Sequence, residues 1–188
     1  FARSAYGLDY HDVVRRRLRN VAALLTQATG ARCRCVVDTA PLRERYWAQQ
    51  AGIGFIGRNH QLIIPGKGSY FFLGAIITTA NLRPDGPITD SSHPAGHPAI
   101  RSAQAGALCG TCRRCLDACP VGALAAGRPL DARRCLSCLT IEHHGPLPQW
   151  LTPRHVGLSV YGCDRCLQAC PHLSRAKATP VADFSPSP

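Results

Sequence analysis

Methionine is missing from all 188 residues, position 1 included. A translation product begins with Met, so the chain is expected to be a piece of a longer protein, with some functional residues outside it. No apolar run approaches the roughly 20 residues a membrane helix needs, which excludes a spanning helix, and no membrane partner is expected. The opening Phe1-Ala2-Arg3-Ser4 has no apolar core behind its charge, so it does not read as a secretory signal. A cytoplasmic location and a monomer are the expectations. Acidic residues are scarce, 11 against 22 Lys and Arg, for a net charge of +11. That excess suits an acidic partner such as nucleic acid, and solubility alone accounts for it equally well. Disorder throughout is excluded, because 45% of the residues are hydrophobic and can bury a core.

Cysteine is what the chain has in excess. Eleven Cys is an odd number, and no secretory context supports a disulfide framework. Metal ligation in a reducing compartment fits better. The strongest motif is Cys109-x2-Cys112-x2-Cys115-x3-Cys119-Pro120, the bacterial ferredoxin run, in which three close thiolates wrap one iron–sulfur cube and the fourth reaches another. An incomplete copy follows, Cys163-x2-Cys166-x3-Cys170-Pro171, with Val160 at the place of its first Cys. The two copies supply seven thiolates where two cubes need eight, and Cys135 and Cys138 both stand between them as sources of the eighth. In the crossed pairing of two-cluster ferredoxins, one cluster takes Cys109, Cys112, Cys115 and Cys170. The other takes Cys119, Cys163, Cys166 and the remaining Cys. Zinc sites use pairs of CxxC and have no need of a triple run ending in x3-Cys-Pro.

Elsewhere the chain reads as mixed helix and strand. Tyr10 to Thr29 has apolar residues at helical spacing, with Asp9 to cap it and Gly30 to stop it. Arg15, Arg16, Arg17 and Arg19 form its polar face, either solvated or touching phosphates. Arg32 to Val37 reads as a strand. Pro41 to Gln50 reads as a second helix, with Thr39 a candidate cap. Gly52-Ile53-Gly54-Phe55-Ile56-Gly57 has GxGxxG spacing but follows a helix, against the dinucleotide reading, so the glycines leave close approach to a ligand or to another element open. Gln61 to Ile64 and Tyr70 to Thr79 read as strands, the second apolar enough for burial on both faces. Arg83 to Ala107 reads as a linker or surface loop. Cys33 and Cys35 share one face of a strand and read as buried, inert thiols. The histidines show no metal-binding spacing. Two cubes move single electrons, and the first 80 or so residues are too large for a ferredoxin appendage. The residues alone stop at an iron–sulfur redox protein with an acceptor unit.

Several segments resemble one family. Val36-Val37-Asp38-Thr39-Ala40-Pro41, Gln50 to Asn59, Gly68 to Gly74, Asp131 to Cys135, Leu139-Thr140-Ile141-Glu142 and Tyr161-Gly162-Cys163-Asp164 look like epoxyqueuosine reductase. Together with the Cys runs they cover most of Tyr6 to Pro171. The resemblance implies an α+β fold: an α/β cobalamin-binding portion over 1–107 with its linker, a ferredoxin-like domain with two [4Fe–4S] clusters over 108–173, and a linker or tail over 174–188. It implies reduction of an epoxide to an alkene at the wobble base of a tRNA, with cobalamin and both clusters as cofactors. It favours Cys135 as the eighth ligand, although an aromatic residue is usual where Cys138 stands. Asp38 matches the family's proton donor, since an opening epoxide leaves an oxygen that a carboxylic acid can protonate. Apolar Val36, Val37 and the corrin would favour its protonated form.

Leu62 and Leu73 match segments that line the corrin, and Ser137 and Asp164 match segments that bring the clusters to it. The expected partners are the tRNA anticodon stem-loop, held by the basic helix face with Arg133, Arg134, Arg154 and Lys177, and an unidentified electron donor. No D-x-H-x-x-G cobalt-ligating motif is present. Two readings compete: a relative of the corrinoid reductive dehalogenases, and a non-enzymatic electron carrier that binds no cobalamin.

Overall fold

A computed structural model of the chain describes residues 1–85 and 105–185. The central part of the expected linker, 86–104, lies outside the described residues. The longest element is helix α1, Tyr10–Thr29. Its start is fixed by Asp9, whose carboxylate accepts from the His11 amide at 2.8 Å. Its end is fixed by Gly30, which turns left-handed at φ 69°. Val13 and Ala22 are buried on the face that packs against a two-stranded antiparallel sheet. The sheet pairs β1, Cys33–Val36, with β4, Ala75–Thr78, so that Cys33 faces Thr78 and Val36 faces Ala75. A half-buried Cys33 thiol donates to the Thr78 hydroxyl at 3.5 Å. Cys33 and Cys35 are therefore less enclosed than expected.

Between these strands lie α2, Glu44–Gln50, and a short antiparallel hairpin of β2, Phe55–Ile56, with β3, Leu62–Ile63. Helix α2 begins later than Pro41, and Thr39 does not cap it. Residues 38–43 are used in a tight turn instead: the Thr39 hydroxyl bonds back to the Val37 carbonyl, and Arg43 precedes the helix with no side-chain cap. The Gly-rich stretch is explained by its neighbours. A Cβ on Gly54 would collide with the Ile63 carbonyl, and one on Gly57 with the Ile63 side chain. The glycines admit the second strand of the hairpin, and no nucleotide phosphate is needed to explain them.

Tyr70 to Thr79 is strand only over its last part. Ser69 to Gly74 runs irregularly, and Ile77 is 52% exposed on a strand with a single partner. Burial on both faces is thus not what the sheet provides. The mixed helix and strand character holds, and both described strand pairs are antiparallel.

The second half is built from short helices: α3 (Arg114–Asp117), α4 (Leu136–Ile141), α5 (Pro153–Val156) and α6 (Arg165–Gln168). Its small core is Val121, Ala123 and Leu136, with Trp150, Leu151, Cys119, Cys135 and Cys163 packed around them. Arg134 serves this core, donating to the Val121 carbonyl at 3.0 Å and stacking 4.7 Å from the Trp150 ring. Its head group thus braces this core from the surface, where the residue remains exposed. Arg133 pairs with Asp131 at 3.0 Å on the surface.

The halves are tied together in several places. Ala2 donates to the Tyr161 carbonyl at 2.8 Å, and the Arg3 amide to Asp164 at 2.7 Å. The segment after 173, expected to be a linker or tail, packs back on the start of the chain. Asp183 pairs with Arg16 at 2.6 Å, and its carbonyl accepts from the Leu8 amide at 2.8 Å.

Candidate active site

The two halves enclose a cavity of about 1860 Å³. Asp38, Leu62, Leu73, Ser137 and Asp164 all line it, though up to 126 residues separate them in sequence. Asp38 sits just past β1 in the left-handed region, at φ 49°, one of two non-glycine residues there among those described. Aspartate tolerates this conformation better than most, at a cost of order 1 kcal/mol. The turn swings its carboxylate away from the buried Val36 and Val37 and into the cavity, where the side chain is 61% exposed. The apolar surround expected of Asp38 is therefore not supplied by these two valines.

Two residues at the start of α1 meet that carboxylate. The Tyr10 hydroxyl donates to Asp38 Oδ2 at 2.8 Å, and His11 Nε2 stands 3.4 Å from the same oxygen. His11 Nδ1 is in turn 2.8 Å from Asp9, whose pKa is lowered first by the His11 amide and then by the His11 ring. Tyr10 is sandwiched between His11, 4.0 Å away, and Phe72, 4.3 Å away and nearly parallel. Burial, then the Asp38 hydrogen bond, raise the Tyr10 pKa, so its proton stays on the phenol. Spacing along the chain could not reveal this group. The one available signal was a Tyr-His pair directly after a helix cap, on the first turn of a helix packed against the strand that ends in the aspartate.

The thiols fall into two sets. Cys115 and Cys170 have pKa values raised by burial and by Cys109, with Cys115 also coupled to Cys170 and Cys170 to Cys112. Cys163 is raised by burial and coupled to Cys135 and Cys119, although the Arg165 amide and charge oppose the rise. Cys166 is pushed up to about 12, by burial first and then by Cys163, Cys135 and Cys119, with a weaker influence from Cys115 in the other set. Cys119, Cys135, Cys163 and Cys166 line the cavity; Cys109, Cys112, Cys115 and Cys170 do not. Cys138, further along α4, enters neither set and does not face the cavity. Among the described residues, no three His, Cys, Asp or Glu side chains converge tightly enough for a single metal ion. Two sets of four thiols suit two iron–sulfur cubes better than zinc, which takes pairs of CxxC.

The cavity wall also carries polar groups without partners. Glu44 Oε1, Asn59 Nδ2 and Ser69 Oγ are buried and unsatisfied, and all three residues line the cavity. The Tyr70 hydroxyl lies near enough to Asp164 for its pKa to rise, behind the larger effect of burial, but no hydrogen bond of good geometry joins them. Each such group costs about 1–3 kcal/mol. A large, mostly apolar ligand edged with amides, which is what a corrin is, would suit the volume and the mixed apolar and polar lining.

Residues 108–172 match the model of a 4Fe-4S double cluster binding domain, and residues 1–39 match that of epoxyqueuosine reductase QueG, DUF1730. The chain is 44% identical to the epoxyqueuosine reductase of Burkholderia pseudomallei over 96% of its own length and 42% of that protein's. It is 40% identical to the enzyme of Pseudomonas aeruginosa over 98% and 47%.

The chain is a relative of the epoxyqueuosine reductases. It spans about half the length of the curated relatives it matches. A crystal structure of an epoxyqueuosine reductase superposes with a TM-score of 0.84 at 36% identity, over 100% of this chain and 45% of that one. Another epoxyqueuosine reductase, solved with an epoxyqueuosine-modified tRNA-Tyr stem loop, superposes at 0.79 and 34%, over 98% and 44%. A third, from Bacillus subtilis, has its catalytic aspartate loop swung out of the active site and superposes at 0.81 and 34%, over 98% and 44%.

Proposed function

We propose that this chain carries the cofactor cavity and cluster ligands of an epoxyqueuosine reductase, reducing epoxyqueuosine to queuosine at the tRNA wobble position. The observation that carries the reading is one cavity lined by both an exposed carboxylate and a four-thiol set. Overall the reaction consumes two electrons and two protons, and releases the epoxide oxygen as water. Cobalamin, when bound, would supply the redox chemistry at the substrate carbon, with electrons delivered through two [4Fe–4S] clusters.

The chain's own residues do the rest. The Asp38 carboxyl group delivers a proton to the epoxide oxygen, while Tyr10 and His11 hold its Oδ2 and so orient the group in the cavity. Leu62 and Leu73 give the cofactor an apolar wall. Cys119, Cys135, Cys163 and Cys166 hold the cluster nearer the cavity, and Cys109, Cys112, Cys115 and Cys170 the farther one. Arg45, Lys67, Arg175 and Lys177 rim the cavity and would meet tRNA phosphates. Among the described residues, no helix is long and apolar enough to cross a membrane.

The test uses the full-length protein, loaded anaerobically with iron, sulfide and cobalamin, and given a reductant and epoxyqueuosine-containing tRNA. Mass analysis of the nucleosides should show queuosine. Asp38→Asn should lower the rate by about two orders of magnitude or more while tRNA binding holds. Failure to bind cobalamin with both clusters intact would favour an electron carrier. Binding of an anticodon stem-loop that weakens steeply with salt separates tRNA chemistry from dehalogenation.

A further inference from the structure

Arg58 follows the Gly-rich hairpin and belongs to the first half of the chain, yet three of its donors act on the second half. Its amide N–H points at Cys109 Sγ at 3.5 Å. Its guanidinium forks across the turn that joins the first two cysteines, Nη1 to the Cys112 carbonyl at 2.5 Å and Nη2 to the Gly110 carbonyl at 2.6 Å. The stem of the side chain is seated on Gly106, where a Cβ would collide with Arg58 Cγ, and the Gly106 amide donates to the Ile56 carbonyl at 2.8 Å. A half-buried cation is thereby locked against the thiol set that does not reach the cavity. Nothing assigned so far uses this arrangement.

We infer that Arg58 is a positioning residue for the cluster farther from the cavity: it fixes the Cys109–Cys112 turn against the cofactor half and raises that cluster's reduction potential. The inference rests on the cluster reading above. A cube with four thiolates carries about −2 when oxidised and gains one more negative charge on reduction, so a fixed cation beside it favours the reduced form. An N–H aimed at a ligating sulfur acts in the same direction. The cluster lining the cavity receives neither effect from Arg58. The residue therefore acts on one cluster only, easing entry of each electron from a one-electron donor, and it holds that cluster at a constant distance from its neighbour.

The experiment is a redox titration with dithionite, one electron per cluster, followed by electron paramagnetic resonance on the anaerobically loaded full-length protein. Wild type, Arg58→Gln and Arg58→Lys are compared, each with its iron content measured. Arg58→Gln keeps the amide but loses the charge and the fork. It should move one midpoint to a more negative value and leave the other in place. Arg58→Lys, which keeps the charge, should restore more than half of that shift. Selective loss of four irons from Arg58→Gln, reversed in Arg58→Lys, supports the same conclusion, because a residue that merely supports the fold would release both clusters or neither. Eight irons with both midpoints unmoved, or both moved together, overturns the inference and leaves the cluster reading standing. Fewer than eight irons in the wild type overturns both.

Discussion

The two halves of this molecule are held together by different physics. The first half has a 20-residue helix capped at both ends and packed on a sheet, the arrangement by which apolar burial stabilises an ordinary domain. The second half has no described helix longer than the six residues of α4, and its core is a few small and branched side chains. Helices of four residues do not persist in water by themselves. Their anchor points are the thiols: Cys115 lies within α3, Cys166 within α6, and Cys135 immediately before α4. The contrast teaches that one half brings its own stability, whereas the other acquires much of its stability from what its cysteines hold.

The sharpest way to break this comparison is to remove iron. Chelation of the anaerobically loaded protein should abolish amide-exchange protection across 108–172 and leave α1, β1 and β4 protected. Uniform loss across both halves would erase the distinction. A substitution confined to the first half comes next. Gly54→Ala sets a methyl against the Ile63 carbonyl and should cost the β2–β3 hairpin about 1–3 kcal/mol, read as a lower melting temperature with unchanged iron content. The smallest effect concerns the cap of α1. The Asp9 pKa is below the usual carboxylate value of 3.8 in the fold, so its contribution is fully present above that value and fades as pH falls through the lower folded one. Asp9→Ala should remove that part of the acid-side decline in stability, measured by circular dichroism across the acid range, while leaving the second half's iron retention at neutral pH unchanged.

The sequence was most legible where the determinants are local. Asp9, Gly30 and the apolar spacing between them define α1 without help from the rest of the fold. The cysteine spacing marks both runs, because wrapping a cube needs close thiolates on one short stretch. Long-range geometry was not legible. Asp38, Tyr10 and His11 meet only because α1 packs on the strand that ends at Val36. Tyr70 to Leu73 has the composition of a buried strand, but the backbone leaves the sheet there and turns four side chains into the cavity wall. Thr39 has the right chemistry for a cap, and the left-handed turn at Asp38 takes it out of position. The partners of Arg134, a carbonyl 13 residues back and an indole ring, likewise lie outside any local pattern.

The rings beside the acid have one more effect. Phe184 leans on Phe72 at 4.9 Å, Phe72 lies flat on Tyr10, and Tyr10 holds Asp38. The stretch around Phe184 thus buttresses the ring stack behind Asp38, and Phe184→Ala would loosen that carboxylate's footing from 146 positions away in sequence.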